Sequence, residues 1–262
     1  MNNYTYIKYQ IEKYMMITSY GIALVKKNKL LNNHNQYEIL MIKKRLTYAF
    51  IAFVKGVYNK NNENELLRMF NSMTVDEKFC IMSLNFNIMW YKSTLSIPYQ
   101  NKFISKEVSK YEKCKSKFEK NFLNDNGKKL LNIMKKSKAS KKIWEIPKGA
   151  TNKNESNINA AIREFTEETN IKKNKYKILY DVNPITYIFT DDNITYKYVY
   201  YIAVLLDNKY QLCLDFKSNS NIMEITELKF FTITELNMIN INTKLIDCIK
   251  KIYKIAKPYF IN

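Results

Sequence analysis

Apolar positions change their spacing twice along this chain. Near the start, Tyr20-Gly-Ile-Ala-Leu-Val25 is a continuous apolar run that stops at Lys26-Lys27-Asn28-Lys29, and Glu38-Ile-Leu-Met-Ile42 is a second one closed by Lys43-Lys44-Arg45. Short runs bounded by charge read as buried strands. Phe50 to Val54, stopped by Lys55-Gly56, is a third strand candidate. From about residue 61 the period becomes helical. Thr74-Val-Asp-Glu77 has the spacing of a capping box, after which Ile81, Leu84, Ile88 and Tyr91 recur at helical intervals. Val108, Tyr111, Phe118 and Phe122 form another stripe with lysines on the other faces; Asn126-Gly127 ends it, and Leu130 to Met134 starts a further element.

Strand character then returns at Trp144-Glu-Ile146, Tyr176 to Tyr180, Ile185 to Phe189, Lys197 to Leu206 and Lys229 to Phe231. A closing amphipathic helix from about Lys244 to Ala256 uses Leu245, Ile249, Ile252 and Ala256. Strands on both sides of a central helix, with helices flanking them, predict an α/β/α sandwich interrupted once by helices. The divisions expected are 1–60, a helical lysine-rich insertion at 61–138, and 139–262.

Composition changes this picture in one respect, which is charge. The net charge of +19 is concentrated: residues 101–148 hold fifteen lysines against Glu107, Glu112, Glu119, Asp125 and Glu145. Lys, Asn and Ile are abundant while Arg occurs only at 45, 68 and 163, a bias that resembles an AT-rich genome and accounts for many single lysines. The block as a whole favours a polyanion such as RNA. Four cysteines lack any CxxC spacing and there is one histidine, which argues against zinc sites and Cys/His catalysis. No apolar run has the length to span a bilayer and no signal-peptide core is visible, so a soluble intracellular protein with reduced thiols is expected. No protein partner is deducible.

The candidate chemistry lies between Gly149 and Ile171. On a helix from Ser156 to Thr169, Ile158, Ala161, Ile162 and Phe165 line the buried face, and Glu164, Glu167 and Glu168 share another side. Three carboxylates so close repel one another, and a hard divalent cation relieves that repulsion. Arg163 can pair with Glu167 one turn on, and Glu155 can bridge back to the helix. Such a site suits hydrolysis of a diphosphate.

The spacing Gly149-x5-Glu155-x7-Arg163-Glu164-Phe165-x-Glu167-Glu168-x-Asn170-Ile171 resembles the Nudix box at every defining position except the last glycine, which is Asn170 here. Asparagine tolerates the left-handed conformation needed at that helix end. The resemblance implies a Nudix α/β/α sandwich with a mixed sheet and a metal-dependent pyrophosphohydrolase using Mg²⁺ or Mn²⁺. It implies Glu164, Glu167 and Glu168 as metal ligands, Glu167 in the base-like role, and Arg163 and Glu155 in support. A further acid from outside the box would be Glu224 or Glu227.

Met73-Thr-Val-Asp-Glu-Lys78, Leu84 to Tyr91, Phe122 to Gly127 and Trp144-Glu-Ile-Pro-Lys-Gly149 are similar to the mRNA-decapping Nudix enzymes of large cytoplasmic DNA viruses. That resemblance implies capped RNA as substrate, cleavage between the α and β phosphates, release of 7-methyl-GDP, and the host cytoplasm as location. It further implies an aromatic sandwich of Tyr48 and Tyr198, with Asp191 on the guanine edge and Phe50 and Tyr200 as alternatives. Lys113, Lys117, Lys128, Lys129, Lys141 and Lys142 would then hold RNA phosphates. Two other readings stay open: a Nudix enzyme acting on diphosphoinositol or dinucleoside polyphosphates, and a catalytically silent RNA-binding Nudix module.

Overall fold

The computed structural model describes residues 16–28, 37–95, 105–141, 143–191, 194–214, 224–239, 241 and 243–260. In chain order the elements are β1 (Met16–Lys27), β2 (Tyr37–Lys44), α1 (Tyr48–Val54), α2 (Glu63–Asn71), α3 (Val75–Met82), α4 (Phe86–Thr94), α5 (Ser105–Phe122) and α6 (Lys128–Lys136). They continue with β3 (Trp144–Glu145), β4 (Lys148–Gly149), α7 (Asn157–Thr169), β5 (Tyr176–Ile178), β6 (Ile185–Asp191), β7 (Ile194–Leu205), β8 (Ile225–Phe231), α8 (Ile233–Met238) and α9 (Thr243–Ala256). Two compact units result: Met1–Lys43 with Trp144–Asn262, and Lys44–Ile143.

Among the described residues, the first unit is built on an eight-stranded mixed sheet. β1 and β7 run parallel from Met16 opposite Thr195 to Val25 opposite Val204. β1 pairs antiparallel with β2 and β4, and β7 with β5 and β6. Both faces are covered, which is why these strands read as unbroken apolar runs rather than alternating ones. Ile22, Leu24, Leu40, Ala203 and Leu205 pack with Ala161 and Phe165 of α7. Ala23, Val25, Ile39, Met41, Tyr200, Ile202 and Val204 pack with Leu245, Cys248, Ile249, Ile252 and Tyr253 of α9. The expected α/β/α sandwich is present.

The second unit is helical, with a core rich in rings: Phe53 meets Tyr58, Phe70, Phe118 and Phe122, and Trp90 meets Phe86 and Tyr111. Its helix starts share one acid. Glu77 closes the capping box of α3 on Thr74, and its buried carboxylate also accepts from Thr47 N at 2.6 Å and Thr47 Oγ1 at 2.8 Å, where Thr47 caps α1. A fully buried carboxylate needs such donors.

Two expectations are corrected here. Phe50 to Val54 is not a strand but most of α1, capped by Thr47 and burying Phe50, Phe53 and Val54 in the helical core. The unit accordingly begins at Lys44, ahead of the expected residue 61. The stripe of Ile81, Leu84, Ile88 and Tyr91 is not one helical face either. Leu84 adopts φ +52° and Asn85 caps a new helix, so α3 and α4 are separate, and Ile88 and Tyr91 are exposed. The buried set is Ile81, Phe86, Met89 and Trp90.

Candidate active site

Ser156 caps α7 by accepting from Asn159 N, and Asn170 ends it at φ +56°, ψ +15°. Asparagine therefore performs the turn expected of the glycine it replaces. With Ala161 and Phe165 fixing the buried face, Arg163, Glu164 and Glu167 emerge toward the loop between β4 and α7.

Arg163 organises that side of the helix. Its Nε and Nη2 donate to Glu155 at 2.9 and 3.0 Å, and its Nη1 donates to Glu164 at 2.6 Å and Glu167 at 3.1 Å. Nη2 also reaches Ala150 O at 2.9 Å. The guanidinium thus gathers Glu155, Glu164 and Glu167, as the i,i+4 relation predicted for Glu167. Hydrogen bonding to Arg163 holds Glu155 below its ordinary pKa, and Glu155 in turn holds Arg163 above its own. Glu155 also accepts from Asn152 N at 2.8 Å, tightening the loop.

Two of the chain's four glycines sit where this loop crosses the sheet. A Cβ on Gly149 would lie 2.1 Å from the Glu164 carboxyl carbon, so the missing side chain makes room for that acid. Gly21, opposite Lys148 on β1, would meet Pro147 O at 2.1 Å. Glu168 lies deeper on the same helix: it is buried, and its Oε2 accepts from Lys148 N at 2.9 Å, next to the Gly149 position that Glu164 faces.

Among the described residues no group of three or more His, Cys, Asp or Glu stands as a preformed metal cluster. The donor set still fits a hard divalent cation. Glu164 and Glu167 already converge on one positive group, Arg163 Nη1, and an ionised carboxylate has lone pairs beyond those two hydrogen bonds.

The other candidates are dispersed. Tyr48 opens α1 in the helical unit with its ring exposed, while Tyr198 lies on β7 in the α/β unit, so the expected pair is divided between the units. Both alternatives are corrected: Phe50 and Tyr200 are core residues, 0% and 1% exposed, and cannot stack on a ligand base. Asp191 ends β6, but its side chain lies outside the described residues. Glu224 is exposed just before β8, and Glu227 on β8 pairs with Lys43 Nζ at 2.9 Å.

Of the lysines, Lys113 lines a cavity of about 560 Å³ with Lys60, Lys120, Asn59 and Asn121. Lys117 borders it too, but its Nζ donates at 2.6 Å to Gly56 O, just past the end of α1. Lys129 Nζ likewise donates to Lys60 O at 2.5 Å. Lys128 lines a smaller cavity of about 310 Å³ that also contains Glu63 and Asp125. Lys141 is exposed, and Lys142 lies outside the described residues.

Sequence reasoning missed three features. Glu145 and Lys148 form a buried ion pair at 2.8 Å beside the box, detectable as an i,i+3 charge pair flanking Ile146-Pro147. Lys148 Nζ also sits 4.4 Å from the Tyr198 ring centroid. Tyr187, Phe189, Tyr196 and Tyr198 form an aromatic ladder across β6 and β7, with Tyr187 opposite Tyr198 and Phe189 opposite Tyr196. Its signal was strand alternation of aromatic residues. Lys60 and Lys120 were the third omission, and in the sequence nothing sets them apart from other lysines.

The NUDIX domain family profile matches residues 121–251. The chain is 37% identical over 191 residues to the mRNA-decapping protein g5R of African swine fever virus, covering 72% of this chain and 73% of that one. It is 28% identical over 225 residues to a putative mRNA-decapping protein of Acanthamoeba polyphaga mimivirus, covering 77% and 60% respectively. Among solved structures, a C. elegans Ap4A hydrolase binary complex aligns at TM-score 0.45 and 14% identity over 92% of this chain and 98% of that one, too loose a likeness to bear on substrate.

Proposed function

The chain belongs to the NUDIX family, and from that premise we propose that it removes the 5′ cap of mRNA. In this reading it hydrolyses the cap polyphosphate between the α and β phosphates, releasing 7-methyl-GDP and a 5′-monophosphate RNA. The observation that carries the chemistry is the Arg163 guanidinium gathering Glu155, Glu164 and Glu167 at the Gly149 loop. The substrate is supported by the 37% identity to a relative named for decapping.

Nudix hydrolases generally use divalent metal ions. Glu164, Glu167 and Glu168 would hold Mg²⁺ or Mn²⁺ here, and the ion would supply neutralisation of the phosphate oxygens. The chain's own residues do the rest. Glu167, with a side chain 32% exposed, orients water and takes its proton as the water oxygen bonds to phosphorus and the bridging oxygen departs with the electron pair. Arg163 and Glu155 keep the acids in place. Glu168, anchored on Lys148 N, fixes α7 against β4. Glu224 or Glu227 is the candidate for a further acid.

Tyr198 is the proposed aromatic wall for the methylated guanine, with Asp191 at its edge. RNA body phosphates are assigned to Lys113, Lys128, Lys141 and Lys142, joined by Lys60 and Lys120 at the 560 Å³ cavity; Lys117 and Lys129 contribute less because backbone carbonyls hold them. The viral relatives support a location in the host cytoplasm.

Incubation with cap-labelled RNA and Mg²⁺ or Mn²⁺, beside Glu167→Gln, tests the reading. Labelled 7-methyl-GDP that disappears in the variant is expected. RNA bound without cleavage would instead indicate a silent binding module. Faster cleavage of dinucleoside or diphosphoinositol polyphosphates than of capped RNA would favour a small-molecule hydrolase.

A further inference from the structure

We infer that Glu145 and Lys148 are a positioning pair that sets Tyr198 as a wall for a cationic base and ties that wall to the box. The inference rests on the cap reading of Tyr198 given above.

Lys148 is 6% exposed and Glu145 8%, and their charged atoms lie 2.8 Å apart. A buried ion pair adds little stability over well-packed apolar side chains of similar volume, so stability alone does not account for one beside the box. Its contacts point to another purpose. The Lys148 ammonium lies 4.4 Å from the Tyr198 centroid, where a cation is attracted to the ring face. The backbone N–H of the same residue donates to Glu168 at 2.9 Å. One residue therefore holds a box carboxylate with its backbone and an aromatic ring with its side chain.

Strand alternation makes this double attachment possible. Gly149 faces Glu164 on α7, while Lys148, its neighbour on β4, reaches the ring of Tyr198 on the sheet face that carries Tyr200 and α9. Tyr198 also touches Phe189 edge-on at 5.3 Å and Tyr187 at 6.1 Å. Glu145 has its own part in the arrangement. An unpaired ammonium against the ring would repel a methylated, positively charged guanine brought to Tyr198; with a carboxylate at 2.8 Å the pair carries no net charge.

The test uses Glu145→Leu/Lys148→Met, which removes the pair without leaving one charge buried, together with Glu145→Gln, Lys148→Arg and Tyr198→Ala in the full chain. For the double variant, KM for capped RNA should rise about tenfold with a smaller change in kcat and an unchanged melting temperature. Glu145→Gln should weaken inhibition by 7-methyl-GDP more than inhibition by GDP, and Lys148→Arg, which keeps a cation beside Glu145, should leave KM near the parent value. A double variant that melts far lower, or that keeps the parent KM while Tyr198→Ala raises it, overturns the positioning role and leaves the cap reading standing. If Tyr198→Ala itself leaves KM for capped RNA unchanged, the cap reading of Tyr198 falls first.

Discussion

On α7 acidic residues cluster, and on α5 basic ones do, yet the two helices handle like charge in opposite ways. Along α7 a single guanidinium answers the cluster: Arg163 reaches Glu155, Glu164 and Glu167, while Glu168 is taken by the β4 backbone. Along α5, among the described residues, no acid lines the 560 Å³ cavity with the lysines. Lys117 is held by the carbonyl of Gly56, whereas Lys113 and Lys120, with Lys60 nearby, line the cavity beside neutral Asn59, Ser116 and Asn121. A compensated cluster holds its geometry without a ligand, as a reaction centre requires. An uncompensated row of cations on a solvated face gains most when a polyanion arrives and counterions leave.

The largest effect should come from breaking the compensated cluster at its most exposed acid. Glu167→Gln keeps the shape of the side chain and a hydrogen-bond acceptor for Arg163, so folding should survive. Cleavage of capped RNA should fall on the order of 10²–10⁴-fold, the range of a positioned base. Turnover within a few-fold of the parent would transfer the base-like role to another acid, with Glu227 the first to examine.

Next in size is a pair of glycine substitutions that separates chemistry from fold. Gly149→Ala places a methyl 2.1 Å from the end of the flexible Glu164 side chain, which can swing aside. Stability should then change by less than about 1 kcal/mol, while turnover drops on the order of a hundredfold because the acid has left its place. Gly21→Ala places its methyl 2.1 Å from a backbone oxygen, Pro147 O, which cannot swing. That variant should lose about 1–3 kcal/mol in urea denaturation. Equal stability losses in both would mean that Gly149 serves strand packing and not the acid.

These contrasts also mark what could be read from the chain before its structure. Spacing alone fixed α7, its buried face, the i,i+4 contact between Arg163 and Glu167, and the left-handed end at Asn170, because each is a short-range consequence of helix geometry. Phe50 to Val54 was misread because five apolar residues suit a buried strand or a buried helix equally, and the cap that decides, Thr47 held by Glu77, depends on a residue thirty positions away. The engagement of Lys117 by Gly56 was equally hidden, since a backbone carbonyl has no sequence signature. The Glu145–Lys148 pair was legible as a spacing but not as a burial, and burial is what gives it meaning.

On α5 the effects should be smaller and should split by partner. Replacing Lys60, Lys113 and Lys120 together by Gln should weaken capped-RNA binding and reduce the slope of log affinity against log salt by about 2, the share of three cations on a single strand. Lys117→Gln should leave that slope nearly as it was and cost about 1 kcal/mol of stability, because its hydrogen bond to Gly56 O is intramolecular. Salt-titrated binding and urea denaturation on the same variants measure both. A slope change in Lys117→Gln equal to one-third of that in the triple variant would erase the distinction between engaged and available lysines.

The smallest expected effect is a pH dependence confined to the compensated cluster. Hydrogen bonding to Arg163 holds Glu155 below its ordinary value of 4.5, and Arg163 stays charged throughout. A carboxylate whose folded pKa is depressed stabilises the fold fully above its unfolded value and loses that contribution as pH falls through the lower folded value. The stability difference between the parent and Glu155→Gln should therefore be constant at neutral pH and shrink only below the ordinary 4.5, as protonation releases Arg163. The loss should be modest, since Glu155 is near solvent and screened. Denaturation curves at matched ionic strength across that window resolve it. A difference that shrinks instead above neutrality would mean that a group other than Glu155 carries the linkage, and Arg163 would no longer be the centre on which the acids of α7 are organised.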